Sequence, residues 1–322
     1  MVMTISKLIK KRLRFAACLF LFSIVHIHVV EAGNVSVVTS IFPLYDFASH
    51  VGGDLVDVKL LLPPGVEAHG FSPTPHDMVT VTRADLFLYL SDILEPWAGT
   101  IVAALGADKG KVVEVGKEIM NTKDGHADRG KRNSTDDHID GHPHASGDPH
   151  IWLDPHMAVE MVKVIEIVLS EVDPEHSEIY RNNSRVYIKE LELFDAGTEQ
   201  ILRNCKVRTI ISGGHFAFGS FAKRYGLTAV SPFRGYSPNA QPSPKAIAEL
   251  VKIVRRTGST VIFHEELIQP KVARIVARET GGRLMLLHGV HNVSREELEQ
   301  GETYLSLMKK NVQNLKQSLQ CQ

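Results

Sequence analysis

Short apolar segments alternate with amphipathic segments of helical length along most of the chain after residue 34. This alternation is typical of α/β proteins, in which helices cover the faces of a mostly parallel sheet. The apolar segments fall into two groups of four. The first group comprises residues 37–41, 56–62, 85–90 and 112–115, and the second comprises residues 207–212, 228–231, 260–263 and 283–287. We therefore expect an α/β protein with two Rossmann-like lobes.

A long amphipathic segment, residues 174–204, separates the two groups. Pro174 is a favourable first residue for a helix. Apolar side chains then recur at helical spacing, at Tyr180, Tyr187, Leu191, Phe194 and Ile201. About 30 residues of helix would extend for about 45 Å, which is long enough to cross both lobes. We expect a first lobe over residues 33–173, a rigid linking helix over 174–204 and a second lobe over 205–322.

The N-terminal residues 1–32 have the composition of a cleaved export signal. Basic residues at positions 7–14 precede an apolar stretch at 15–30, and Val30-Glu31-Ala32 fits a cleavage site before Gly33. Cys18 loosely suggests lipid attachment, but apolar residues continue well beyond it. We expect a soluble protein in the periplasm.

Charge and cysteine content narrow the possible partners. The net charge of −1 gives no support for binding nucleic acid or an anionic membrane. Removal of the signal leaves Cys205 and Cys321, which are too far apart in sequence for a zinc site built from paired cysteines. A structural disulfide and two inert thiols both remain open, because the sequence does not give the geometry.

Residues 121–146 interrupt the α/β pattern. They are rich in Gly, Asp, Asn and His and contain almost no apolar side chains, which predicts a disordered surface loop. A flexible segment with several imidazoles is suited to weak metal collection, although a solvated insertion without a specific role is the alternative. The histidines concerned are His126, His138, His142 and His144.

Four further histidines stand apart from this loop, namely His69, His150, His215 and His288. His69, His215 and His288 follow predicted strands, and ligands of open α/β sheets bind beyond the carboxyl ends of the strands. Each histidine taken singly is more often a hydrogen-bonded structural residue. Taken together, their placement indicates a possible metal site between the lobes.

Three ordered motifs carry a resemblance to a known family. Residues 67–77 contain a histidine followed by Pro-x-Pro and Asp, residues 148–155 read Asp-Pro-His-x-Trp-Leu-Asp-Pro, and residues 214–218 read Gly-His-Phe-Ala-Phe. A Pro-Ser-Pro sequence at 242–244 precedes a helix. These motifs resemble the metal-binding signatures of the cluster A-I solute-binding proteins of ABC importers, the ZnuA/TroA-like family, over nearly the whole mature chain.

The resemblance implies metal held in the cleft between two α/β lobes that are joined by a long, stiff helix. It also implies delivery to an importer whose permease and ATPase are separate chains. The function expected on this basis is extracytoplasmic capture of zinc by a monomeric binding protein, without enzymatic activity.

The fourth ligand departs from the family pattern. The family usually supplies an acid after the last strand, whereas this chain has Leu287-His288-Gly289-Val290 there. We expect His288 as the fourth ligand, with Glu265 and His291 as rivals.

Imidazole-rich sites favour Zn²⁺, whereas manganese favours carboxylate and water oxygens. Copper and nickel also bind imidazole, and the same binding role for manganese, copper or nickel stays open, as does a metal-dependent adhesin. A secreted zinc hydrolase is a weaker alternative. His264-Glu265 begins like the His-Glu-x-x-His motif, but Ile268 occupies the position of the second histidine.

Overall fold

The structure is a computed structural model that describes residues 34–106, 112–124, 148–215, 217–233 and 241–322. The expected export signal at residues 1–32 lies outside these residues. The same is true of the histidines proposed for metal collection, His126, His138, His142 and His144. Within the described residues, no helix combines the length and the apolar composition that crossing a membrane requires.

The first sheet contains four parallel strands in the order β2-β1-β3-β4. Its strands are β1 (Val35–Thr39), β2 (Val56–Leu60), β3 (Leu86–Tyr89) and β4 (Val112–Glu114). All four residues of β3 are buried, as expected for a central strand of a parallel sheet that is covered on both faces. The expectation of a parallel α/β arrangement is confirmed here.

The second half of the chain repeats this topology. Its strands are β5 (Thr209–Ile211), β6 (Thr228–Val230), β7 (Val261–His264) and β8 (Arg283–Leu286). β5 pairs with β6 and β7 with β8, all in parallel. A parallel bridge between Ser212 and Phe263 joins the two pairs. The resulting order, β6-β5-β7-β8, corresponds strand for strand to that of the first sheet.

The helices cover these sheets and continue beyond them. The helices of the described residues are α1 (Phe42–Gly52), α2 (Pro75–Arg83), α3 (Ala98–Leu105), α4 (Val115–Asp124), α5 (Pro155–Val172), α6 (Ser177–Arg203), α7 (Gly219–Arg224), α8 (Pro244–Thr257), α9 (Lys271–Thr280), α10 (Arg295–Glu299) and α11 (Tyr304–Ser318). The prediction of a loop over residues 121–146 is wrong for the first four of these residues, because α4 continues to Asp124. Extending an existing helix adds a hydrogen bond for each residue fixed, so polar residues can continue it.

The expected long helix is confirmed as α6, whose 27 residues extend for about 40 Å. A short 3-10 helix, Pro174–His176, precedes it. The Tyr187 hydroxyl of α6 donates to Asp46 Oδ2 of α1 at 2.7 Å, and Asp46 Oδ1 accepts from Tyr304 N of α11 at 3.2 Å. One buried carboxylate therefore ties together helices from the beginning, middle and end of the chain.

Cys205 and Cys321 form a disulfide, which settles the question that the sequence left open. The bond links the end of α6 to the residues just after α11. Val207 N also donates to Leu319 O at 3.0 Å. The C-terminus is thus fastened to the beginning of the second half.

Candidate metal centre

The candidate ligands lie in loops at the carboxyl ends of strands. His69 is in the loop after β2, His215 is in the loop after β5, and His288 and His291 follow β8. His150 directly precedes the 3-10 helix Ile151–Leu153, which leads into α5. In open α/β sheets this edge is the usual place for a ligand, because the connecting loops converge there.

His69, His150 and His215 come together in one group. Each offers a ring nitrogen, and these nitrogens all lie within 4.8 Å of one another. The ring centroids are 5.6 Å apart for His69 and His150, 5.8 Å for His69 and His215, and 5.3 Å for His150 and His215. Nitrogens bound to one tetrahedral zinc at about 2.0–2.1 Å would be about 3.4 Å apart. Small side-chain movements would therefore close the group around an ion.

Carboxylates orient two of the three rings. Asp148 Oδ1 lies 2.9 Å from Nδ1 of His150, and Glu265 Oε2 lies 2.6 Å from Nδ1 of His215. A carboxylate on one ring nitrogen fixes the tautomer and directs the other nitrogen toward a metal. In His215 this arrangement leaves Nε2 for coordination.

The electrostatics differ among the three histidines. Burial and the nearby His150 and His215 lower the pKa of His69 to about 3. Burial also lowers the pKa of His150, although Asp148 opposes this effect. Burial alone would lower the pKa of His215 as well, but the carboxylate of Glu265 outweighs it and the pKa is raised. Burial thus favours the neutral form of His69 and His150, whereas Glu265 favours the protonated form of His215.

His288 lies outside this group. Its Nδ1 accepts a hydrogen bond from Val290 N at 3.0 Å, and its Nε2 lies 3.3 Å from Glu297 Oε1. Its backbone N–H and carbonyl are held by the Asn311 side chain at 2.7 and 2.8 Å. Both ring nitrogens thus face groups of the protein.

His291 also lies outside this group, but it interacts electrostatically with all three of its histidines. It is 5% exposed, and burial together with His215, His150, His288 and His69 lowers its pKa well below the usual range. Its Nε2 has no hydrogen-bond partner and lies 3.8 Å from Glu67 Oε1.

The backbone turns sharply between His288 and His291. Val290 has a φ of 59°, a left-handed conformation that a β-branched residue rarely adopts. On either side of this turn, Nδ1 of His288 and Nδ1 of His291 lie 3.5 and 3.7 Å from the same atom, Glu266 Oε1.

Two glycines allow the His215 loop to approach its neighbours. A Cβ on Gly213 would lie 2.4 Å from Cα of Ala273 in α9, and a Cβ on Gly214 would lie 2.4 Å from Glu265 Oε1. The Gly-Gly sequence before His215 thus permits close packing of this loop against α9 and the carboxylate.

Several residues at the site were not found by sequence reasoning, notably Glu67, Asn292, Glu297 and Asn311. Glu297 had a local signal, since Ser294 and Glu297 form a capping box at the start of α10. That signal predicts a helix start but gives no indication that Glu297 faces His288. Glu266 Oε1 lies 3.5 Å from His288 Nδ1 and 3.7 Å from His291 Nδ1.

Comparison with known proteins is consistent with this geometry. The profile of the family described as zinc-uptake complex component A, periplasmic (ZnuA), matches residues 37–318. The chain belongs to the ZnuA family. This family consists of solute-binding transport proteins.

Individual relatives of the ZnuA family show the same similarity. The high-affinity zinc uptake system protein ZnuA of Bacillus subtilis is 33% identical over 297 residues, covering 90% of this chain and 89% of that protein. The zinc-binding protein AdcA of Streptococcus pyogenes is 33% identical over 294 residues, covering 89% of this chain and 56% of AdcA. The chain therefore spans about half the length of the AdcA proteins that it matches.

A solved structure also resembles the fold. The Zn(II)-bound ZnuA-like domain of Streptococcus pneumoniae AdcA has a TM-score of 0.71 and 29% identity, covering 89% of this chain and 99% of that domain. The α/β architecture with its long helix is thus shared with a member of the ZnuA family.

Proposed function

We propose that this protein captures Zn²⁺ outside the cytoplasmic membrane and delivers it to the permease and ATPase of an ABC importer. The observation that carries the proposal is the group of three imidazoles whose nitrogens lie within 4.8 Å. Two of them are oriented by carboxylates, and two have a lowered pKa. Membership of the ZnuA family supports zinc as the cargo.

The proposed ligands are His69, His150 and His215, with His291 as the fourth. Its burial and its electrostatic coupling to the other three histidines favour His291. His288 is less suited, because its Nδ1 accepts a hydrogen bond from Val290 N and its Nε2 lies 3.3 Å from Glu297 Oε1. Glu265 acts in this proposal as the partner of His215.

The charge around the proposed ligands suits a cation. Neutral imidazoles leave the two charges of zinc uncompensated, and the nearby carboxylates Glu67, Glu265 and Glu266 supply negative charge.

Competition with a fluorescent zinc chelator tests the ligand set. Loss of an outer-shell partner typically weakens metal binding by about 10–100-fold. We expect His69→Ala and His215→Ala, which remove direct ligands, to weaken zinc binding by more than this. His176→Ala is the matched control, since His176 pairs with Asp173 at the start of α6. Unchanged affinity in His69→Ala and His215→Ala would refute the assignment.

Transport is tested in the producing organism. Deletion of the protein should abolish growth in zinc-depleted medium, and the wild-type chain but not His215→Ala should restore it. Growth without the protein at the wild-type rate would contradict a role in zinc import.

We also propose that the histidines of residues 121–146 collect metal weakly. Deleting residues 125–146 should leave the zinc affinity of the site at His69, His150 and His215 unchanged. It should remove only low-affinity zinc, measured by equilibrium dialysis. Loss of high-affinity zinc in this deletion would overturn the proposed separation of the two sites.

A further inference from the structure

The segment 289–293 follows β8 of the second sheet, yet its hydrogen bonds go to the first half of the chain. Trp152 Nε1 donates to Gly289 O at 2.8 Å, and Phe42 N donates to His291 O at 3.0 Å. Gly65 N donates to Val293 O at 2.8 Å. The segment is therefore docked on the half of the chain that carries His69 and His150.

Asn292 makes the closest connection in this segment. Its side-chain Nδ2 donates to Pro63 O and to Val66 O, both at 2.7 Å, and its Oδ1 accepts from Val293 N at 2.8 Å. The residue is fully buried. Its amide is thus satisfied on both ends within the protein, and its loss would leave two carbonyls of one loop without this donor.

The position of these bonds relates them to the metal centre. Pro63 and Val66 belong to the loop that continues to Glu67 and His69, while Asn292 is the immediate neighbour of His291. One side chain therefore joins two loops that carry proposed ligands and come from opposite ends of the chain.

We propose that Asn292 is a positioning residue that sets the relative placement of His69 and His291. This inference rests on the proposed zinc function. The amide holds the two loops in one arrangement before metal arrives, so that binding does not have to order them. A site held in advance in this way binds more tightly than one whose loops must first be fixed.

The alternative is that Asn292 supports only the fold. Asn292→Ala should destabilise the apo protein in either case, so stability alone does not decide. The deciding measurements are the zinc dissociation constant and the visible spectrum of the Co²⁺-substituted protein, which reports the geometry and number of ligands. A purely structural role would leave both unchanged in the folded variant.

Asn183→Ala is the matched control. Asn183 also donates through Nδ2 to a backbone carbonyl, Val51 O at 3.0 Å, but it lies on α6 and contacts α1 rather than the proposed ligand loops. Asn292→Ser is the second variant, which keeps a single hydroxyl donor and serves where Asn292→Ala does not fold.

We expect Asn292→Ala to raise the zinc dissociation constant by about 10–100-fold, the range for outer-shell partners, and to alter the Co²⁺ spectrum. Asn292→Ser should give a smaller change, and Asn183→Ala should give none. This inference is overturned if folded Asn292→Ala, or Asn292→Ser where Asn292→Ala does not fold, binds zinc with wild-type affinity and leaves the Co²⁺ spectrum unchanged. If His69→Ala still loses binding in the same experiment, the proposed function is unaffected. Absence of zinc binding by the wild-type protein would overturn the proposed function together with it.

Discussion

Replacing Glu265 with glutamine tests how the second half of the chain holds its proposed ligand. Glu265 Oε2 lies 2.6 Å from His215 Nδ1, and their side chains are 8% and 2% exposed. Glutamine keeps the size of the side chain and can still accept from Nδ1–H, but it removes the negative charge. The change therefore isolates the electrostatic part of the contact.

The expected loss follows from the role of the carboxylate. A carboxylate on the far nitrogen makes the imidazole a stronger donor, and losing such a partner typically weakens metal binding about 10–100-fold. This corresponds to about 1.4–2.7 kcal/mol in zinc binding free energy. The contact is buried, so solvent screens it little and an effect toward the upper part of this range is expected.

Chelator competition at fixed pH and ionic strength measures the affinity, with His215→Ala measured alongside. Glu249→Gln is the matched control, because Glu249 pairs with Lys252 on the exposed face of α8. We expect no change in zinc affinity for that variant.

Two results would refute this reasoning. An affinity of Glu265→Gln within twofold of the wild type would show that the charge does not support His215. A loss as large as that of His215→Ala would instead make Glu265 a direct ligand.

Three further predictions concern protons and stability. Because the pKa of His215 is raised above the ordinary value of 6.5, zinc should displace a proton from it, and zinc affinity should fall as the pH decreases. Titration calorimetry in buffers of different ionisation enthalpy measures this proton release. No release at pH 7 would contradict the prediction. Burial raises the pKa of Glu95 to about 7, above its unfolded value, so the wild type loses stability as pH rises from 4.5 through 7. The free energy of unfolding of Glu95→Gln should therefore exceed that of the wild type by up to about 3 kcal/mol at pH 8 but by little at pH 4. Equal shifts in melting temperature at both pH values would refute this. Reduction of the Cys205–Cys321 disulfide, which closes a sequence separation of 116, should lower the free energy of unfolding by about 2–5 kcal/mol, measured by urea denaturation, and an unchanged midpoint would contradict a structural role.

The sequence determined the features that depend on local patterns. Each of the eight predicted strands corresponds to an observed one, and α6 occupies nearly all of the segment proposed for it. Period-2 and period-3.6 apolar patterns reflect which side of an element is buried, so they are visible without the fold. The ends of the helices and strands were predicted less accurately. α4 continues into the histidine-rich segment because a polar composition does not by itself end a helix.

The metal centre was only partly accessible to sequence reasoning. His69, His150 and His215 could be singled out by motif and by their places near strand ends, and the structure brings them together. The sequence favoured His288 over His291 as the fourth ligand, although both fit the loop after the last strand. The hydrogen bonds of His288 to Val290 N and of Gly289 O to Trp152, which bear on this loop, come from the tertiary structure.

Only the tertiary structure decided which polar groups support these histidines. Asn292 lies beside His291 and bonds to Pro63 and Val66 in the loop of His69, while Glu297 contacts His288. Contacts of this kind have no period and no fixed spacing, because they depend on how loops from two sheets meet. The local sequence thus set the elements and the three motif histidines, while long-range packing set the fourth position and the surroundings that tune all four.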